Sequence, residues 1–215
     1  MVNSTSVSII DIGMGNLRSV ANAVYESGFD PVIITAAHEV SEASRVILPG
    51  VGSFRAASQR LQHGGWINTL QSYAASGKPL LGICLGMQLL ASSGVEGMEG
   101  TAKACSPGLD LIPGTVIRLP ENGLRIPHVG WNSVLPQFQH PLLAEIKPGR
   151  DFYFVHSYYF AVEQEADCLA LTDYGGPVTA AVARGNVIGT QFHPEKSQRN
   201  GLALLEAFLD WDGEI

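Results

Sequence analysis

The chain has 215 residues, of which 46% are hydrophobic and 15% charged. That length and composition suit one large domain spanning residues 1–215 with a sizeable core, and they exclude intrinsic disorder. Its 13 Lys and Arg against 20 Asp and Glu leave a net charge of −7, which argues against a nucleic-acid-binding face and for small molecules or another protein as partners.

Residues 6–12 are β-rich and apolar and stop at Gly13, which predicts a first strand. Asn16 can cap a following helix with Leu17, Val20 and Val24 at helical spacing. Strands are predicted at 31–35 and at 45–48, the latter stopped by Pro49-Gly50. Ser53 can cap a helix carrying Phe54, Ala57 and Leu61, and Trp66, Leu70 and Tyr73 mark another, with Trp66 read as core. Residues 80–83 form a short buried strand, followed by a helix from 85 to about 91. Short apolar strands alternating with amphipathic helices predict βαβ units and a parallel sheet.

After Gly94 the texture changes: Gly and Pro become frequent and short β-rich runs dominate, at 115–119, 125–129, 151–155, 168–171, 179–183 and 187–192. A last helix, 198–211, carries Leu202, Leu205 and Leu209 on one stripe. The expected architecture is α/β, with a mixed, largely parallel central sheet flanked by helices on both faces. Small additional antiparallel strands come from the second half.

No segment reaches the ~18 apolar residues of a spanning helix, and the first residues lack the basic start and apolar stretch of an export signal. Asn3-Ser4-Thr5 fits a glycosylation sequon, read here as chance. Cys84, Cys105 and Cys168 are odd in number and include no C-x-x-C, so a disulfide framework and a zinc knuckle are both disfavoured. Reduced thiols and a cytoplasmic setting are expected, with no membrane association and no metal or other cofactor.

Gly82-Ile83-Cys84-Leu85-Gly86 follows a buried strand and opens a helix, matching G-x-S-x-G with Cys as nucleophile. Flanking glycines relieve clashes around a strained central residue, and the helix N-terminus favours thiolate. Read alone, the same residues also fit a buried Cys between packing glycines. His193 ends an apolar strand and stands two residues before Glu195. In an extended chain both side chains would face one way, so the carboxylate could hold the imidazole as a triad does. Read alone, His193-Pro194-Glu195 is also an ordinary surface turn. Pro49-Gly50-Val51-Gly52 can supply backbone N–H donors to an oxyanion, or can be a plain turn. All three elements would gather at the carboxyl ends of strands. Gly13-Met14-Gly15 is no dinucleotide fingerprint, because Arg18 stands where a third glycine is needed. Cys105 and Cys168 read as structural, and the roles of His128 and His156 stay open.

Taken together these elements resemble the class I, triad-type glutamine amidotransferases, and most closely those that serve as glutaminase subunits of imidazole glycerol phosphate synthases. The resemblance rests on residues 11–17 (DIGMGNL), 48–52 (LPGVG), 82–88 (GICLGMQ), 127–132 (PHVGWN), 153–158 (YFVHSY) and 189–196 (GTQFHPEK). Ile12 departs from the aromatic usual at that position. The resemblance implies a catalytic triad of Cys84, His193 and Glu195, and an oxyanion hole from Val51, Gly52 and Leu85. It implies glutamine contacts from Gly50, Gly52, Gln88, Ser157 and Tyr158, and a partner interface including Asn16, Trp131, Tyr153 and Lys196. The implied partner is a (β/α)8-barrel cyclase subunit in a 1:1 heterodimer, which receives the ammonia in histidine biosynthesis and switches the glutaminase on. Another class I glutaminase, or a partner-independent cysteine hydrolase, would share the triad; the 127–132 motif disfavours the former.

Overall fold

The computed structural model describes residues 6–98, 105–144 and 146–214; the Asn3-Ser4-Thr5 sequon lies outside them. In chain order the strands are β1 (Ser6–Ile10), β2 (Asp30–Ile34), β3 (Val46–Gly50), β4 (Leu80–Cys84), β5 (Ala91–Gly94), β6 (Ser106–Pro107) and β7 (Ile112–Arg118). They continue as β8 (His128–Pro136), β9 (Arg150–His156), β10 (Tyr158–Val162), β11 (Cys168–Asp173), β12 (Pro177–Arg184) and β13 (Val187–Thr190). The α-helices are α1 (Leu17–Glu26), α2 (Phe54–His63), α3 (Trp66–Ala75), α4 (Leu85–Leu89) and α5 (Gln198–Asp210).

Nine strands form one sheet in the order β2-β1-β3-β4-β13-β12-β11-β8-β9. The first five are parallel to one another, and the remaining four join antiparallel. β3 and β4 are buried at every residue, as strands covered on both faces must be. One face is covered by α1 through Val20, Ala23 and Val24 and by α5 through Leu204, Leu205, Phe208 and Leu209. The other is covered by α2, α3 and α4, with Phe54, Leu61, Trp66, Leu70 and Met87 in the core. The expected caps form: Asn16 Oδ1 accepts from the Ser19 N–H and Ser53 Oγ from the Ala56 N–H, each at 3.4 Å.

The second half departs from expectation in detail. A separate four-stranded sheet, β10-β7-β5-β6, packs beside the first, and its β5–β7 pair is parallel, not antiparallel. The helix expected to run to about residue 91 stops at Leu89, and the chain passes straight into β5. β8 starts at His128, because Pro127 has no N–H to give a ladder. On α5 the buried stripe is Leu204, Leu205, Phe208 and Leu209, with Leu202 at its edge.

Candidate active site

The parallel register pairs Gly50 of β3 with Cys84 of β4, and Thr190 of β13 with Ile83. The carboxyl ends of three adjacent strands therefore bring residues 50–52, Cys84 and His193 together, the usual ligand edge of an open α/β sheet.

Cys84 adopts φ 55° and ψ −107°, a conformation that costs a non-glycine residue on the order of 1–3 kcal/mol. Close packing holds it there. A Cβ on Gly82 would stand 2.6 Å from the Gly86 carbonyl oxygen, and one on Gly86 would collide with the Leu48 carbonyl oxygen. The turn can approach β3 this closely only with glycine on both sides of the nucleophile. Cys84 Sγ has the Gln191 amide nitrogen at 3.8 Å and the Val155 carbonyl oxygen at 3.9 Å.

His193 Nδ1 lies 2.7 Å from Glu195 Oε1, both side chains being 2% exposed. The pairing is as expected, but the route is different. β13 ends at Thr190, and Pro194–Lys196 form a 3₁₀ turn that swings the carboxylate back onto the ring. A hydrogen-bonded ring fastens that turn to β9. The His193 N–H donates to the Tyr153 carbonyl at 2.9 Å, the Tyr153 N–H to Ser197 Oγ at 3.0 Å, and Ser197 Oγ–H to the His193 carbonyl at 2.6 Å. Burial works against a charged His193, but the neighbouring Cys84 and the hydrogen-bonded Glu195 outweigh it and raise its pKa to about 9. Nε2, the nitrogen left for the thiol, is buried without a well-aligned hydrogen bond. Such catalytic contacts often tighten only when substrate is bound.

A cavity of about 390 Å³ opens over Cys84 and His193, with Val51, Gly52, Leu85, Gln88, Ser157 and Tyr158 in its wall. Gly50 is the exception among the expected glutamine contacts. It is the last residue of β3, buried against Leu85, and it does not line the cavity. The Val51 N–H also differs from expectation, since it donates to the Met14 carbonyl at 3.2 Å. In this conformation it is spent on the loop after β1 instead of facing an oxyanion. Gln88 Nε2 donates to the Tyr158 carbonyl and to Gln191 Oε1, each at 3.0 Å. Both amide protons are thereby used, and Oε1 is the acceptor left at the cavity wall.

Two residues of the site, one in the cavity wall and one behind it, were not anticipated from the sequence. Glu96 lines the cavity while its Oε2 accepts from the Phe54 N–H at 2.7 Å; a single Glu in a Gly-rich stretch has no spacing to announce it. Gln191, fully buried beside Cys84, has no spacing to His193 or Cys84 that marks it as part of the site. Of the four expected interface residues, three touch. The Trp131 ring, 48% exposed, meets Tyr153 edge-on at 6.1 Å, and Lys196 Nζ lies 5.9 Å over the Tyr153 ring. Asn16 is exposed at the start of α1, which packs beside the Pro194–Lys196 turn. Among the described residues no group of three or more His, Cys, Asp or Glu side chains is placed to hold a metal ion. No helix among them is long and apolar enough to cross a membrane.

The sequence model of the family "Glutamine amidotransferase class-I" matches residues 8–211. The chain is 47% identical over 208 residues to "Imidazole glycerol phosphate synthase subunit HisH" of Desulfitobacterium hafniense, covering 97% of this chain and 95% of the relative. It is 41% identical over 210 residues to the protein of the same name from Geobacter sulfurreducens, covering 95% and 98%. Among solved structures, "Structure of PurLQS from Thermotoga maritima" superposes with a TM-score of 0.72 at 17% identity, covering 95% of this chain and 97% of that one. "Crystal structure of glutamine amidotransferase" does so with a TM-score of 0.70 at 20% identity, covering 94% and 98%. At those identities the two structures speak for the fold alone. The family match and the near full-length relatives decide the assignment: the chain belongs to the class I glutamine amidotransferase family.

Proposed function

We propose that the chain is the glutaminase subunit of an imidazole glycerol phosphate synthase, with Cys84, His193 and Glu195 as its catalytic triad. The observation that carries the reading is a cysteine held on a strained elbow, in one cavity with a histidine whose far nitrogen is 2.7 Å from a carboxylate. His193 takes the Cys84 proton, and the thiolate attacks the side-chain carboxamide carbon of glutamine. The tetrahedral intermediate collapses as His193 returns the proton to nitrogen, so ammonia leaves and a γ-glutamyl thioester remains on Cys84. His193 then draws a proton from water, the hydroxide adds to the thioester, and glutamate departs as the thiol is restored. One water is consumed for each glutamine. Glu195 holds the Nδ1–H tautomer and stabilises the imidazolium that forms twice per cycle. Glu96 and the free Gln88 Oε1 suit an α-ammonium group; Ser157 and Tyr158 complete the cavity wall.

The oxyanion donors are the amides of Leu85, at the start of α4, and of Gly52 and Val51. The bond from Val51 to Met14 must break before its N–H can serve, and Gly52 at φ +108° gives the segment a place to turn. Low activity alone and activation on docking follow from that bond. The docking face is assigned to Trp131, Tyr153, Lys196 and Asn16, and Val129, 56% exposed, extends it along β8. A cyclase subunit in a 1:1 pair is the assigned occupant, and it receives the ammonia. The free cysteines Cys84, Cys105 and Cys168 fit a cytosolic setting. The test is glutamate release from glutamine by the chain alone, with the cyclase subunit, and with cyclase plus its ligand, the last repeated with Cys84→Ala. Turnover confined to the wild-type ternary mixture supports the reading. Strong turnover by the isolated chain contradicts the partner assignment, and activity retained by Cys84→Ala contradicts the triad.

A further inference from the structure

Among the buried histidines that the mechanism leaves without a task, His128 and His156 touch each other, and His156 stands in the cavity wall. His156 Nδ1 is 2.9 Å from the Tyr158 carbonyl oxygen, and its Nε2 is 3.0 Å from His128 Nδ1. His128 Nε2 in turn lies 3.4 Å from Asn132 Nδ2. The carbonyl can only accept, so His156 Nδ1 must carry a proton and donate it. A neutral His156 then presents Nε2 as an acceptor, which obliges His128 Nδ1 to donate and leaves His128 Nε2 as acceptor for Asn132. The Asn132 amide cannot turn over, because Nδ2 also donates to the Asp173 carbonyl at 2.8 Å and Oδ1 accepts from the Ser133 N–H at 2.8 Å. Every link thus has one permitted direction. Burial holds both rings neutral, each with a pKa lowered to about 4; for His156 the Tyr158 carbonyl pulls the other way while His128 and His193 add to the lowering.

The chain of bonds ends on the atom that positions Gln88. The Tyr158 carbonyl accepts from His156 and from Gln88 Nε2 together. The second Gln88 Nε2–H donates to Gln191 Oε1, and the Gln191 amide nitrogen faces Cys84 Sγ. We propose that His128 and His156 are positioning residues for glutamine: a one-directional hydrogen-bond relay from Asn132 on β8 that fixes the Tyr158 carbonyl and, through it, the orientation of the Gln88 amide at the cavity wall. The proposal rests on the glutamine reading of that cavity.

Two variants separate relay from packing. The His128 ring is stacked between Phe154, at 4.9 Å, and Tyr174, at 3.9 Å between centroids. His128→Phe keeps a ring in that stack and removes the donor. His128→Asn loses the ring but can place an amide N–H near the position of Nδ1. In the complex with cyclase and its ligand, His128→Phe should raise the KM for glutamine about fivefold, the effect of one lost buried hydrogen bond. It should change kcat little, and His128→Asn should stay near the wild-type KM. A packing role predicts the reverse order, and that order would overturn the proposal, as would a wild-type KM in His128→Phe. An arm free of activity reads ¹⁵N-histidine NMR of the isolated chain at pH 7. Both rings should be Nδ1–H tautomers, the less common form in solution; an Nε2–H tautomer at either ring overturns the wiring even where a variant fails to fold. Absence of glutamate release by the wild-type complex would instead count against the proposed function, and the NMR arm would still decide the wiring.

Discussion

Replacing Glu195 with Gln removes one charge and almost no volume, so its effect isolates the electrostatic part of the triad. In the folded chain burial pulls His193 down, but Cys84 and Glu195 carry its pKa from 6.5 to about 9. A histidine whose pKa rises on folding stabilises the fold while it is charged. The stabilisation is fully present below pH 6.5 and is lost as pH climbs through about 9. The whole interval corresponds to about 3 kcal/mol, which Cys84 and Glu195 share. A hydrogen bond between charged groups contributes roughly 1.5–3 kcal/mol against about 1 for a neutral one. Glu195→Gln should therefore lose about 1–2 kcal/mol of stability at pH 6 and almost none at pH 10. If the same imidazolium forms in the reaction, kcat in the cyclase complex should fall by roughly 5- to 30-fold with little change in KM. Urea unfolding at the two pH values, beside steady-state glutamate release, reads all of this. An equal stability loss at both pH values, or an unchanged kcat, would refute the reasoning.

Gly86→Ala should cost about 3 kcal/mol or more, because its methyl group meets the backbone of β3 where no side chain can give way; a denaturation midpoint near wild type would contradict this. The same limit applies at Gly50, where a Cβ would come 2.9 Å from that of Leu85, so Gly50→Ala disturbs the elbow as well as the oxyanion peptide. Exchange of the Val51 amide with deuterium should be protected in the isolated chain by its bond to Met14 and should change on addition of cyclase and its ligand; identical protection in both would count against a turning peptide. Trp131→Ala should weaken the cyclase complex by about tenfold or more while the isolated chain keeps its melting temperature, measured by titration calorimetry and thermal unfolding. Unchanged affinity would move the docking face elsewhere.

The parallel half of the sheet was legible because β3 and β4 are short apolar runs, and apolar runs are what strands buried on both faces require. The elbow was legible for a similar reason: glycine on both sides of Cys84 is the visible trace of a turn packed against its neighbours. The pairing of His193 with Glu195 was anticipated from extended-chain geometry, whereas Pro194 starts a 3₁₀ turn that reaches the same contact by another path. β5, β6 and β10 were not foreseen. Residues 91–94 (ASSG) carry no alternation, and they become a strand only by pairing with β7 and β6, to which they are tied by a fold still unformed at the level of sequence. The direction of the Val51 N–H was equally hidden, since side-chain identities do not state which way a peptide plane faces. The same holds for Glu96, whose place in the cavity follows from where the chain returns after β5.

The central claim is that Cys84 becomes acylated by glutamine. The most direct measurement is intact-protein mass spectrometry of the cyclase complex, acid-quenched during turnover of glutamine with the cyclase ligand present. A mass increase of one γ-glutamyl group, mapped to Cys84 and absent from Cys84→Ser, is the predicted result. Continued glutamate release with no adduct on the wild-type chain, or an adduct on Cys105 or Cys168 instead, would contradict the account.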